Sequence, residues 1–218
     1  MGTVESRSSV KSLLNIFSKE KLIGIVRTES ADSALWAASQ LLEAGFRLIE
    51  IPFTVPETPQ VIEALCERFP EAVIGAGTVL EAKQAVQALG AGAQFLVAPV
   101  LNEPLIQFGL EQDIFVLPGC ATPTEIYRAH TLGAPAAKFF PAGAMGGPAF
   151  LKAIRDPLPT IPIVPTGGVT LEQVPEYLSA GALAVGVGGP LLPKDVIAHR
   201  DADTLQQRAK AYLLSKGA

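Results

Sequence analysis

Short apolar runs alternate with longer segments of helical period along nearly the whole chain. Runs at 22–26, 48–53, 72–77, 95–98, 114–117, 136–140, 161–164 and 184–187 are rich in Ile, Val, Leu, Phe and Ala and end at Gly, Pro, Arg or Thr. Continuous apolar runs of this length read as strands buried on both faces, the pattern of a parallel sheet covered by helices. Between them, helices are predicted at 30–44, 57–68, 80–89, 103–111, 122–132, 148–154, 170–180 and 204–214. Ser30 is a suitable N-cap and Gly45 a C-terminal stop, while Thr122-Pro123 places a cap before a first-turn proline. Ahead of the first strand, residues 5–19 set Val10, Leu13, Leu14 and Phe17 at helical spacing, which predicts an amphipathic lead-in helix.

Repeated strand–helix units in 218 residues point to an α/β fold, a single (β/α)8 TIM barrel, somewhat shorter than the ~250 residues typical of that architecture. A doubly wound open sheet is the alternative, but no Gly-x-Gly-x-x-Gly follows the first strand. No linker, low-complexity tract or shift of composition divides the chain, so residues 1–218 are expected to form one domain.

Composition narrows the function classes. At 49% hydrophobic and 17% charged, the chain favours a large core and further apolar contact between subunits. A net charge of −4 with no basic block argues against nucleic acid or an anionic membrane as partner. Cys66 and Cys120 lack metal-type spacing and read as reduced thiols, and residues 1–21 lack the apolar core of a signal peptide. No apolar run approaches the roughly 20 residues of a membrane span. The expectation is a cytoplasmic protein. His130 and His199 are isolated, and no His, Asp or Glu cluster has metal spacing, so neither a metal nor a cofactor is expected.

One residue breaks the apolar pattern where it should be costly. Lys138 sits inside the run 136–140, and a charge there requires a reason. Phe139 and Phe140 beside it are expected to keep the site dry and disfavour the ammonium, leaving an amine able to attack a ketone. The protonated imine that follows dehydration is an electron sink for breaking a carbon–carbon bond one atom away. Glu50, between Ile49 and Ile51, should face the interior or mouth of the barrel, as a proton-transfer group, as a counter-ion to Lys138 or Arg27, or as both. Reactive groups in such a barrel stand at the C-terminal strand ends. There the chain places Arg27, Glu50 through Thr54, Thr78, Pro99, Gly119, Lys138 through Phe140, Thr166 through Gly168, Gly188 and Gly189. The pairs Gly167-Gly168 and Gly188-Gly189 follow the seventh and eighth strands, where many barrels hold phosphate on backbone N–H groups, here aided by a helix start near Thr170. Arg27 could pair with a substrate carboxylate or with Glu50. Thr78 follows a glycine-rich backbone that can approach a small anion.

Five segments in register resemble a known family: Glu-Ile-Pro-Phe-Thr-Val-Pro (50–56), Gly-Ala-Gly-Thr-Val (75–79), Pro-Gly-Cys-Ala-Thr-Pro-Thr-Glu (118–125), Lys-Phe-Phe-Pro-Ala (138–142) and Pro-Thr-Gly-Gly-Val (165–169). They are similar to the 2-keto-3-deoxy-6-phosphogluconate (KDPG) aldolases, a group that includes 4-hydroxy-2-oxoglutarate (KHG) and 6-phosphogalactonate-type enzymes. The resemblance implies a metal-independent class I aldolase, usually a homotrimer, with Lys138 forming the Schiff base and Glu50 moving protons. It implies that Thr78 and nearby backbone hold the pyruvate carboxylate, with Arg27, Thr54, Pro99 and Phe140 around the substrate. Gly167, Gly168, Gly188 and Gly189 would hold the distal phosphate. The implied reaction is cleavage of KDPG to pyruvate and glyceraldehyde 3-phosphate. Cleavage of the galactonate-derived substrate or of 4-hydroxy-2-oxoglutarate, with oxaloacetate decarboxylation, is the alternative within the class. A barrel that binds a phosphorylated ligand without aldol chemistry is the alternative outside it. This chain departs from the family pattern at Thr54, where many members have arginine, and at Ala98, where Ser-Pro is common. Gly189, followed by Pro190, replaces a phosphate-loop serine, and Pro52 leans towards the galactonate branch.

Overall fold

The computed structural model describes residues 9–217. Its strands are β1 (Leu22–Ile25), β2 (Leu48–Pro52), β3 (Val73–Gly77), β4 (Phe95–Val97), β5 (Phe115–Leu117), β6 (Gly119–Cys120), β7 (Ala137–Phe139), β8 (Ile163–Pro165) and β9 (Val185–Val187). Its helices are α1 (Val10–Glu20), α2 (Ala31–Glu43), α3 (Thr58–Arg68), α4 (Ala82–Gly90), α5 (Glu103–Gln112), α6 (Pro123–Thr131), α7 (Gly147–Arg155), α8 (Gln173–Ser179), α9 (Lys194–His199) and α10 (Ala202–Ser215). Every strand pair is parallel, so this is an α/β fold of curled parallel strands.

The strands fall into two hydrogen-bonded sets, β5-β4-β3-β2-β1-β9 and β6-β7-β8. The predicted fifth strand is the junction. Pro118 has no N–H, so the run divides there: β5 pairs with β4, and β6 beyond the proline pairs with β7. Residues 119–120, which lie between the strand expected at 114–117 and the helix expected at 122–132, are thus strand. At the other junction a lone bridge joins Thr166 to Gly186, and the Leu183 N–H donates to the Ile163 carbonyl at 2.8 Å.

Alternation along the strands separates two apolar clusters. One face, including Ile49, Ile51, Ile74, Ala76, Leu96, Val116, Ala137, Phe139, Ile163 and Val185, packs against the helices. The opposite residues, Ile23, Leu48, Val73, Phe95, Val97, Phe115, Leu117, Ala136, Val164 and Ala184, make an interior cluster together with Leu13 and Phe17 of α1. Phe17 is fully buried, edge-on to Phe95 at 5.2 Å and stacked on Phe115 at 4.8 Å. Helix α1 spans Val10–Glu20 and contributes Leu13 and Phe17 to this interior cluster; residues 5–8 of the lead-in helix expected at 5–19 lie outside the described residues.

Caps place several helices as expected. Ser30 accepts from the Ser33 N–H, Gly45 has φ 112°, and Thr122 and Glu125 form a reciprocal capping box. Two differences matter near the strand ends. The helix expected from residue 170 begins at Gln173, whose side chain accepts from the Thr170 N–H at 3.1 Å. A short helix not predicted, α9, follows β9.

Candidate active site

Period-two alternation puts Ala137 and Phe139 on the helix-facing side of β7, which turns Lys138 to the interior. In β2, Ile49 and Ile51 face the helices and Glu50 shares the interior side with Leu48. The two charged groups meet there: Lys138 Nζ lies 3.7 Å from Glu50 Oε1, with the residues only 5% and 2% exposed. An ion pair so far from water is weak evidence for stability, because desolvation offsets much of the attraction. Lys138 Nζ also stands 5.3 Å from the centre of the Phe140 ring. The expectation for the two phenylalanines is corrected by half: Phe139 points away and packs on Phe150, with ring centres 5.5 Å apart.

Missing side chains make room for this pair. A Cβ on Gly77 would collide with the Glu50 carboxylate, and one on Gly75 with the Phe95 ring. A Cβ on Gly119 would strike the Pro99 carbonyl, so that glycine lets the backbone after β4 pass close to β6. Gly186 leaves space for Thr166, a buried threonine on the interior side at the end of β8. Sequence reasoning placed Thr166 at a strand end without a role; its signal was a hydroxyl directly after a run of apolar strand residues. Thr78, half-buried just past β3, has φ 54°, a left-handed conformation that costs a β-branched residue on the order of 1–3 kcal/mol. Such strain is often held at a ligand site, and it turns the Thr78 backbone in a direction an extended strand would not.

The remaining candidates ring the same strand ends. Gly167 and Gly168 have φ 94° and 74°, and a Cβ on Gly167 would press on Phe140, which ties this loop to the lysine. The Ala142 N–H donates to the Thr166 carbonyl at 2.8 Å and the Gly143 N–H to that of Gly167 at 2.9 Å, which pins the segment after Lys138 onto the same loop. Gly188 sits against Ile25, while Gly189 faces open space. Among the described residues, the N–H groups of Gly188 and Gly189 have no hydrogen-bond acceptor. Arg27 is exposed after β1 and forms no ion pair with Glu50, so that reading is set aside. It lines a groove of about 490 Å³ with Thr28, Ser33, Leu192 and Lys194. Thr54 is exposed in the turn after β2, and Pro99 is half-buried.

Neither cysteine fits a nucleophile. Burial, with Glu125 nearby, pushes the Cys120 thiol up to about 12, and burial with Glu67 pushes Cys66 up to about 11. Among the described residues, no group of three or more His, Cys, Asp or Glu could hold a metal ion. No described helix is long and apolar enough to cross a membrane.

The family model described as KDPG and KHG aldolase matches residues 13–208. The chain is 36% identical over 196 residues to the 2-dehydro-3-deoxy-6-phosphogalactonate aldolase of Escherichia coli K12, covering 89% of this chain and 95% of that one. It is 33% identical to a 2-dehydro-3-deoxy-phosphogluconate aldolase of Pseudoalteromonas atlantica, covering 90% and 91%. Among solved structures, a KDPG aldolase from Legionella pneumophila with pyruvate captured at low pH as a covalent carbinolamine superposes with a TM-score of 0.84 at 30% identity, covering 91% and 97%. The matched span contains Glu50, Lys138 and all five segments, and the chain belongs to the KDPG and KHG aldolase family.

Proposed function

We propose that this protein is a class I aldolase that cleaves 2-keto-3-deoxy-6-phosphogluconate to pyruvate and glyceraldehyde 3-phosphate. The observation that carries the reading is the buried pair, Lys138 Nζ at 3.7 Å from Glu50 Oε1. In this scheme Glu50 takes a proton from Lys138, and the free amine attacks C2 of the substrate. The C2 oxygen leaves as water after proton transfers, and a protonated imine remains. Glu50, again a carboxylate, takes the C4 hydroxyl proton. The C3–C4 electrons move into the imine, the aldehyde departs and an enamine of pyruvate remains on Lys138. Protonation at C3 and addition of water at C2 then release pyruvate and the amine. The imine is the electron sink, so the scheme uses neither metal nor cofactor.

Around the pair, Thr78 and the adjacent backbone receive the pyruvate carboxylate, and Arg27 completes that clamp, since Thr54 occupies the sequence position where many family members have arginine. Pro99 and Phe140 wall the pyruvate half. Gly167, Gly168, Gly188 and Gly189 receive the distal phosphate. The galactonate-derived substrate is a second reading, favoured by Pro52 and by the 36% identity to the Escherichia coli phosphogalactonate enzyme.

The same reading covers the architecture. In it the chain is one domain, and the described residues close as a (β/α)8 barrel with α1 as its floor, a reading supported by continuity across Pro118 and by the Thr166–Gly186 bridge. Exposed Val86, Val100 and Tyr127 suit self-association as a homotrimer, for which we propose a cytoplasmic location.

Borohydride reduction in the presence of pyruvate tests the chemistry. A stable adduct should map to Lys138 by peptide mass spectrometry and vanish in Lys138→Met, with loss of activity on the order of 10⁴-fold or more. Trapping on another lysine, or none, overturns the assignment.

A further inference from the structure

We propose that Arg208 is a positioning residue for the distal phosphate, acting through the loop after β9; the inference rests on the aldolase reading above. Arg208 comes from α10, and its half-buried guanidinium reaches the loop by two hydrogen bonds. Nη2 donates to the Pro190 carbonyl, and Nε donates to the Leu191 carbonyl at 3.4 Å. Each carbonyl belongs to a peptide group whose N–H donates to the Gly188 carbonyl. The Leu192 N–H, which also reaches the Gly189 carbonyl at 3.2 Å, donates to the Gly188 carbonyl at 3.0 Å, and the Leu191 N–H donates to that same Gly188 oxygen at 2.8 Å. That oxygen shares its peptide plane with the Gly189 N–H, which has no acceptor among the described residues.

The order is therefore a guanidinium, two peptide groups side by side, a third peptide group, and a free donor. Hydrogen bonds in series polarise one another, so a fixed positive charge at one end strengthens the donor at the other. Arg208 is always charged. No carboxylate lies within ion-pair distance of it among the described residues. Glu172 lines the same cavity of about 420 Å³, but its own backbone N–H and the Thr170 hydroxyl engage that carboxylate and hold it below the usual range.

The loop has reason to depend on this help. It contains no hydroxyl, Pro190 offers no N–H, and a Cβ on Gly189 would meet nothing within 4 Å. A phosphate monoester arriving there finds backbone donors and open space. Arg208 fixes the direction of those donors and supplies charge from behind them. It touches the loop and not the substrate.

Steady-state kinetics on Arg208→Met, Arg208→Lys and the parent protein test this, with KDPG and phosphate-free 4-hydroxy-2-oxoglutarate as substrates. Arg208→Met should raise KM for the phosphorylated substrate about tenfold or more, the scale of a charge-assisted hydrogen bond, with kcat within about twofold. Arg208→Lys should recover part of that loss. KM for the phosphate-free substrate and borohydride trapping with pyruvate should not move. An unchanged KM for KDPG, or equal rises for both substrates, overturns the role. If Arg208→Met does not fold, Arg208→Gln keeps a donor, removes the charge and is held to the same outcomes. A parent protein that neither traps pyruvate nor cleaves either substrate refutes the aldolase reading itself, a result separable from any effect of Arg208.

Discussion

The same strands build two unlike environments at their two ends. Towards α1, the interior is filled by Phe17, Phe95, Phe115, Leu48 and Val97, large side chains stacked ring on ring and fully shielded from water. Towards the strand C-termini, the interior positions are Glu50, Gly77, Gly119, Lys138, Thr166 and Gly186. One end gains from dispersion and burial. The other gives up that gain at successive positions, with glycines that empty the space and a charge pair that must be desolvated. Stability and chemistry are thus separated by about two residues along a strand, and each end should fail in its own way.

The largest expected effect lies at the filled end. Phe17→Ala removes a fully buried ring from between Phe95 and Phe115 and should cost about 3–5 kcal/mol of unfolding free energy. Denaturant unfolding measures that loss, while kcat of the folded fraction should stay within a few-fold of the parent. A large drop in kcat with little loss of stability would mean that α1 serves the chemistry and not the floor.

At the emptied end the balance should reverse. Gly77→Ala drives a Cβ into the Glu50 carboxylate and displaces it from Lys138. Misplacement of a reacting group by about 1 Å can cost 10²-fold in rate, about 2.7 kcal/mol of activation free energy. Glu50→Gln, which keeps the shape and loses the base, should cost about 10²- to 10⁴-fold. Pyruvate trapping on Lys138 should persist in Glu50→Gln more than turnover does. Full turnover in either variant would remove Glu50 from the mechanism.

The division also explains what could be read in the sequence. Each predicted strand has a counterpart because parallel, doubly covered strands carry continuous apolar runs, and Lys138 and Glu50 stood out as charges inside such runs. Which neighbour faces the lysine needed the pleat. Phe139 adjoins it in sequence and points the other way, whereas Phe140 sits beyond the strand and reaches back over the amine. Pro118 looked like an ending because proline usually ends a strand; here the chain continues and changes partners across it. α9 was invisible because six residues with only Val196 buried give too few turns for a periodic signal. Arg208 carried no signal at all. It sits on a helix far along the chain, and only folding brings it to the carbonyls of Pro190 and Leu191.

The smallest expected effect is the most selective. Gly189 has no left-handed φ, and a Cβ there would meet nothing within 4 Å, so Gly189→Ser should fold without strain. The added hydroxyl restores a donor in the loop proposed to hold the phosphate. One added hydroxyl, sharing the phosphate charge with the backbone donors already there, contributes about 0.5–1.5 kcal/mol, which corresponds to a fall in KM for KDPG of about 2- to 10-fold. KM for 4-hydroxy-2-oxoglutarate should stay where it was, because that substrate has no phosphate to receive the hydroxyl. The gain should differ in an Arg208→Met background, since both changes act on the same loop, and a double-mutant cycle reads that coupling directly. A serine that lowers both KM values equally, or neither, would place the distal phosphate away from this loop. The open space at Gly189 would then belong to the emptied end of the strands without being part of the substrate's grip.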